Sequence, residues 1–377
     1  MQNILFAFML IFVAGIINGS FALPTKYITK WKFENIWLQY ALWAFVILPW
    51  LLMYVLETRI FEIYAATPST LLWVIVLGGF IFGAGQICFA LALNMIGLGL
   101  GFVINLGLGI GLGFLLPLIF QHPEKIATPF GVVTLIGGAL AIVGLIVSNH
   151  AGMLRDREKK AQQAGQQGGA VSESAAEKSK HLAGVVLAAL AGLSSASQNF
   201  IFSLTHSMQD SALAMGVNDF AAANIIWPGF LLCGFIPYAL YTLYLHQKNQ
   251  SFAGYKESGT AKYYLFAIVM GAFWDGSLVF YGKASQLIGS IGPVVGWPVF
   301  MALIILTSSF WGWKHNEWQG CSAKIKQVMW RGLLLLIFAV IVLGYGSSLA
   351  GTSDAAAAAV KSVDTSNMAA VNTAEKS

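Results

Sequence analysis

Charged side chains make up only 10% of the 377 residues, against 57% apolar ones. A water-soluble chain of that composition would lack the polar surface to cover itself, so a soluble globular fold is excluded and the surrounding medium must be lipid. Cysteine is almost absent: Cys88, Cys233 and Cys321 stand far apart with no C-x-x-C pair, which leaves no disulfide framework and no zinc motif. No basic residue precedes the apolar run over 3–24, whereas Lys26, Lys30 and Lys32 follow it. A secretory signal carries its positive charge first, so this run reads as a membrane helix that starts outside. The sequence also lacks a His/Glu metal cluster, a Ser/Lys or paired-Asp catalytic motif and a phosphate-gripping loop, so neither an enzyme nor a cofactor or bound metal is expected. The net charge of +5 comes from short clusters between apolar segments, which excludes a nucleic-acid surface and reads as an orientation signal in a lipid bilayer.

What remains is a succession of apolar runs. A helix needs roughly 20 apolar residues to cross the hydrocarbon. The runs meet that length near 3–24, 36–56, 71–95, 97–120, 129–150, 182–205, 218–245, 262–287, 289–312 and 327–350, here called spans 1 to 10. Spans 3 and 4 are separated only at Gly97, and spans 8 and 9 only at Gly289, which predicts two tight helical hairpins. The expected fold is therefore an all-α polytopic membrane protein of about ten transmembrane helices.

Residues 151–181 break this pattern with a polar, charged stretch that has no large apolar groups to bury, and are expected to form a flexible cytoplasmic linker. The linker divides a first five-helix unit, 1–150, from a second, 182–351; the small, polar residues 352–377 are expected to be a disordered tail. The loops after spans 1, 5, 7 and 9 hold 16 of the 21 Lys and Arg residues. The basic side stays in the cytoplasm, so both termini are expected in the periplasm.

The halves resemble each other. An offset of 192 residues sets 78–101 on 270–293 and matches Gly79 with Gly271, Phe89 with Tyr281, Ala92 with Ala284 and Gly97 with Gly289. In the same order, Leu48-Pro49-Trp50 matches Ile236-Pro237-Tyr238, and Ala14-Gly15 matches Ala191-Gly192. Because each half has an odd number of helices, the second enters the membrane from the opposite face, the inverted repeat that secondary transporters use for alternating access.

The stretch from Asn18 to Trp50, NGSFALPTKYITKWKFENIWLQYALWAFVILPW, resembles the start of the L-rhamnose-proton symporter family, within the drug/metabolite transporter superfamily. Pro24, Lys26, Lys30-Trp31, Glu34, Trp37 and Leu48-Pro49-Trp50 carry the resemblance, and Asp275 and Lys283 in span 8 depart from it. The resemblance implies ten helices and a permease that takes up a small neutral sugar, L-rhamnose or another 6-deoxyhexose, with a proton. An exporter or exchanger of another small metabolite in the same superfamily is the alternative.

Asp275 is the candidate proton-coupling residue. It falls near the centre of span 8, where a carboxylate costs about 2.5–3.5 kcal/mol on insertion scales, so it should face the bundle interior and can carry a proton as access alternates. A structural ion pair with Lys283 or another base competes with this reading, although eight residues along one helix separate the two by about 12 Å. The candidate substrate-binding set is Asn18, Gln86, Asn105, Gln198, Asn199, Trp227, Trp274, Tyr281 and Trp297. Amides supply donors and acceptors to sugar hydroxyls, and flat aromatic faces cover C–H surface; the same residue types also serve as interhelical bonds and space-filling. Glu34 and Lys283 are possible gate residues, Glu34 through a salt bridge to a base on another loop.

Overall fold

The computed structural model describes residues 2–164 and 175–374, which contain helices and turns but no strand. Ten helical segments are long and apolar enough to cross a membrane: Asn3–Tyr27, Phe33–Leu56, Ser69–Gly97, Gly99–Gln121, Pro129–Gln162, Lys180–Ala214, Asp219–Asn249, Ala261–Ile288, Gly292–Lys314 and Ala323–Ala350. They correspond one for one to spans 1 to 10. Hydrocarbon offers no partner to a backbone amide, so each apolar run must close its own hydrogen bonds as a helix. Large apolar side chains such as Leu5, Phe12, Trp73, Leu77, Leu334 and Phe338 point outward and exposed, as they should where the solvent is lipid.

Both predicted hairpins are present. Gly97 turns the chain at φ 78° between spans 3 and 4, and Gly289 does so at φ 90° between spans 8 and 9. A side chain is disfavoured at positive φ, so the reversal can be this short only at glycine. In span 2 the helix widens to π geometry over Leu42–Ile47, just before Pro49. Proline has no N–H to return to the Phe45 carbonyl, and the wider turn absorbs the mismatch.

The packing repeats with the halves exchanged. Span 1 packs on spans 8 and 9, and span 6 packs on spans 3 and 4. Gly19 lets span 1 approach so closely that an added Cβ would lie 2.6 Å from Thr307 Cβ; Gly192 does the same for span 6, at 2.7 Å from Leu108 Cβ. Likewise Gly79 of span 3 meets Phe230 and Cys233 of span 7, while Gly271 of span 8 meets Trp43 and Ala44 of span 2. Spans 5 and 10 pack on each other at the edge.

The loops after spans 1, 5, 7 and 9 gather on one face, the basic face. There Glu317 accepts from Lys26 Nζ at 2.7 Å and from Arg155 Nη1 at 2.9 Å, and Lys159 Nζ donates to the Glu317 carbonyl at 2.6 Å. These contacts explain why the linker expected over 151–181 begins as helix, which continues span 5 to Ala164; a further helix starts at Ala175. Its Arg, Glu, Lys, Gln and Ala residues are strong helix formers, and the Glu317 loop gives them partners. The backbone after span 10 stays helical to Ala374, through an alanine-rich run of high intrinsic helix propensity.

Candidate functional site

A cavity of about 640 Å³ lies at the centre of the bundle, within the roughly 300–1,000 Å³ usual for small-molecule sites. Its deep end is walled by Gln198, Trp274 and Trp297 at mid-membrane, and its lining continues to Ala22, Phe33 and Gly152 at the basic face. On the opposite side the lining stops at Gln198 and Trp297; Asn199, Tyr281 and Pro293, packed behind them, are not part of it. The cavity therefore opens toward the basic face and is closed on the other.

Six of the nine candidate substrate residues line it: Asn18, Gln86, Asn105, Gln198, Trp274 and Trp297. Span 1 brings in Asn18, whose Nδ2 donates to Ser277 Oγ at 2.7 Å; Ser277 Oγ in turn donates to the Trp274 carbonyl at 2.6 Å. Trp297 is fixed edge-on by its Nε1–H to the Gly109 carbonyl at 2.9 Å. Gly113 beside it leaves room for the indole, since a Cβ there would overlap the ring. Among enclosed polar atoms at the wall, Gln198 Nε2 and Ser148 Oγ have no partner. Buried polar groups are nearly always bonded, so unpartnered atoms at a cavity wall are where ligand hydroxyls or water are accommodated.

The other three candidates, Asn199, Trp227 and Tyr281, do not reach the cavity. They are buried on its closed side: Tyr281 bonds through its hydroxyl to Asn199 Oδ1, and Trp227 Nε1 donates to Asn224 Oδ1 at 3.2 Å with its ring stacked on Phe202 at 5.1 Å. Sequence depth places them level with the cavity, but they face neighbouring helices.

Asp275 is 3% exposed and sits at mid-membrane, one step around span 8 from the lining residues Trp274 and Leu278. It makes no hydrogen bond or ion pair among the described residues, and its Oδ1 is wholly enclosed. Tyr40, which lines the cavity, lies within electrostatic reach of it. The expected competitor is missing: Lys283 donates to Gln286 Oε1 at 2.7 Å and lies 3.6 Å from Asp219, toward the face opposite the basic one. Glu34 also departs from its expected salt bridge. It is 2% exposed and accepts from the Asn249 amide at 3.0 Å; it forms no salt bridge among the described residues, and the base within electrostatic reach is His246. Burial within the bundle explains the choice, because a neutral amide satisfies a carboxylate without bringing a second charge out of water.

The 192-residue register has a counterpart in the wall. It relates Phe82 to Trp274, Gln86 to Leu278 and Asn105 to Trp297, and all six residues line the cavity. Nearer the mouth the correspondence breaks: Leu93 and Phe102 line it, while their mates Ser285 and Val294 are buried. The deep end is thus shared by the halves, and the open end belongs to one face only.

The family model of the L-rhamnose-proton symport protein matches residues 1–349. The chain belongs to that family. Among its relatives, the L-rhamnose-proton symporter of Yersinia pestis is 25% identical over 335 residues, covering 87% of this chain and 94% of that one. The L-rhamnose-proton symporter of Mannheimia succiniciproducens is 26% identical over 346 residues, with 89% and 96% covered. This is a family of transporters, not enzymes, and its bacterial members together with the ten apolar helices mark the chain as a multi-pass inner-membrane protein.

Sequence reasoning missed Tyr40, Tyr238, Phe45, Phe82 and Ser148 in the cavity wall. Phe82 had a usable signal, its register with Trp274. Tyr40 had none, because nothing in the order of apolar residues fixes which way its side of span 2 faces.

Proposed function

We propose that this protein carries L-rhamnose or another 6-deoxyhexose into the cell together with a proton, by exposing the central cavity to each side of the membrane in turn. The observation that carries the reading is an enclosed, unpaired carboxyl, Asp275, directly behind the wall of a cavity with polar and aromatic lining. Membership of the symporter family supports both the sugar and the proton. Asn18, Gln86, Asn105 and Gln198 bind hydroxyls, and Trp274 and Trp297 cover the apolar face of the sugar. Asp275 takes the proton from the outer side and releases it inward past Tyr40.

The moving parts are the two five-helix units, 1–150 and 182–351, inserted in opposite senses. The exchanged packing of spans 1 and 6 and the paired residues at the deep end favour this division. If the basic face is cytoplasmic, as the positive-inside rule requires, both termini are periplasmic and the cavity here faces the cytoplasm. One proton moved with a neutral sugar carries one charge inward. At about 2.3 kcal/mol per 100 mV, that supports roughly fiftyfold accumulation.

Purified protein in proteoliposomes tests this. An inward proton gradient should drive uphill uptake of one 6-deoxyhexose, and the same stereoisomer should raise the melting temperature of the protein above the effect of its epimers. Uptake driven by sodium alone, or proton-driven efflux of another metabolite with no sugar uptake, would replace this reading with another ion or with the exporter.

A further inference from the structure

The three aromatic and amide residues that fail to reach the cavity form a connected group on its closed side. Asn199 of span 6 is 0% exposed. Its Nδ2 donates to the carbonyls of Gly113 in span 4, at 2.8 Å, and Pro293 in span 9, at 3.0 Å, while its Oδ1 accepts from the hydroxyl of Tyr281 in span 8. One carboxamide therefore ties four spans together with both donor hydrogens in use. The Gly113 carbonyl is free to accept because the residue four positions on is Pro117, which has no N–H to give it. Phe202 and Phe300 pack on the Tyr281 ring, and Trp227 stacks on Phe202. Nothing in this group is charged, and every bond in it is one that water can replace, so it can open without leaving a buried polar atom unpaired.

The repeat supplies a second, independent observation. The register that sets Tyr281 on Phe89 sets Gly113 on Ile305, and the register that sets Gly192 on Gly15 sets Asn199 on Ala22. Phe89, Ala22 and Ile305 all line the open mouth of the cavity. The positions that close one side are thus the ones whose mates stand apart on the other.

We infer that Asn199 and Tyr281 are the latch of the gate opposite the basic face: they hold the cavity shut there in this state and part when it opens, while Phe89, Ala22 and Ile305 come together to close the basic side. This rests on the transport reading for its purpose but not for its test. With the three native cysteines replaced, Ser195→Cys puts a thiol in the cavity wall. A membrane-impermeant thiol reagent should label it in intact protein from the basic side and only slowly from the other. Tyr281→Phe, which keeps the ring, and Asn199→Ala should each speed labelling from the far side by about tenfold, the shift expected on losing one or two net hydrogen bonds. Labelling from the basic side in the same variants reports that they are folded. Far-side labelling unchanged in Tyr281→Phe, with basic-side labelling intact, overturns the latch even if sugar uptake is found. Faster far-side labelling with no transported sugar keeps the latch and removes the sugar reading instead.

Discussion

Lys283 and Asp275 lie two turns apart on span 8, yet Lys283 turns outward to Gln286 at 2.7 Å and Asp219 at 3.6 Å, leaving Asp275 with no cation. A carboxyl in this position costs least when it holds a proton, and gains nothing from the lysine. The separation leaves Asp275 without a cation at mid-membrane and gives Lys283 its contacts at the ends of spans 7 and 8 opposite the basic face; in the proposed mechanism only Asp275 handles the proton.

Lys283→Met is therefore expected to leave the proton-to-sugar ratio unchanged. The Lys283 side chain is mostly buried, but Asp219 is largely exposed and 3.6 Å away, so solvent screens the pair to about 1 kcal/mol and the uptake rate should change by less than about fivefold. Parallel measurement of proton and sugar flux in proteoliposomes checks this. Loss of coupling would show that the lysine governs Asp275 after all.

Close helix approach should be the most sensitive feature of the packing. A Cβ at Gly83 would overlap the backbone carbonyl of Gly234 in span 7, whereas at Gly152 it would meet nothing within 4 Å. Gly83→Ala is expected to destabilise by about 1–3 kcal/mol, the usual cost of overpacking. Gly152→Ala should stay within about 0.5 kcal/mol. Thermal denaturation of the two variants in detergent separates them, and equal melting temperatures would contradict the packing described.

At the basic face, burial pushes the Glu317 carboxyl up, but the hydrogen bond and charge of Lys26, with the charge of Arg155, outweigh it and hold the group below its ordinary value. A depressed carboxylate stabilises the fold above its unfolded pKa, and that contribution is lost as pH falls through the folded value. The melting-temperature difference between wild type and Glu317→Gln should thus be constant from about pH 8 to 5 and shrink only below about pH 4. A difference that disappears near neutral pH would mean the clasp titrates through another group.

Much of this architecture could be read from residue order. The length of lipid-soluble runs is dictated by the thickness of the hydrocarbon, so all ten spans and the glycine hairpins at Gly97 and Gly289 were legible. Depth was legible too: Asp275, Gln198 and Trp274 lie at mid-membrane as their positions in the spans require. Facing was not. Asn199 and Gln198 are adjacent and equally polar, yet one line of sight ends in the cavity and the other in the carbonyls of Gly113 and Pro293. Glu34, expected to pair with a base on another loop, instead accepts from the Asn249 amide. Which of several near groups a buried carboxylate takes depends on helix rotation, which one apolar run does not encode.

The most direct test of the account is Asp275→Asn. The asparagine fills the same space but cannot carry a proton, so sugar exchange across a membrane with no gradient should persist while uphill accumulation driven by a proton gradient is lost. Undiminished accumulation in that variant would remove Asp275 from the coupling step and contradict the mechanism.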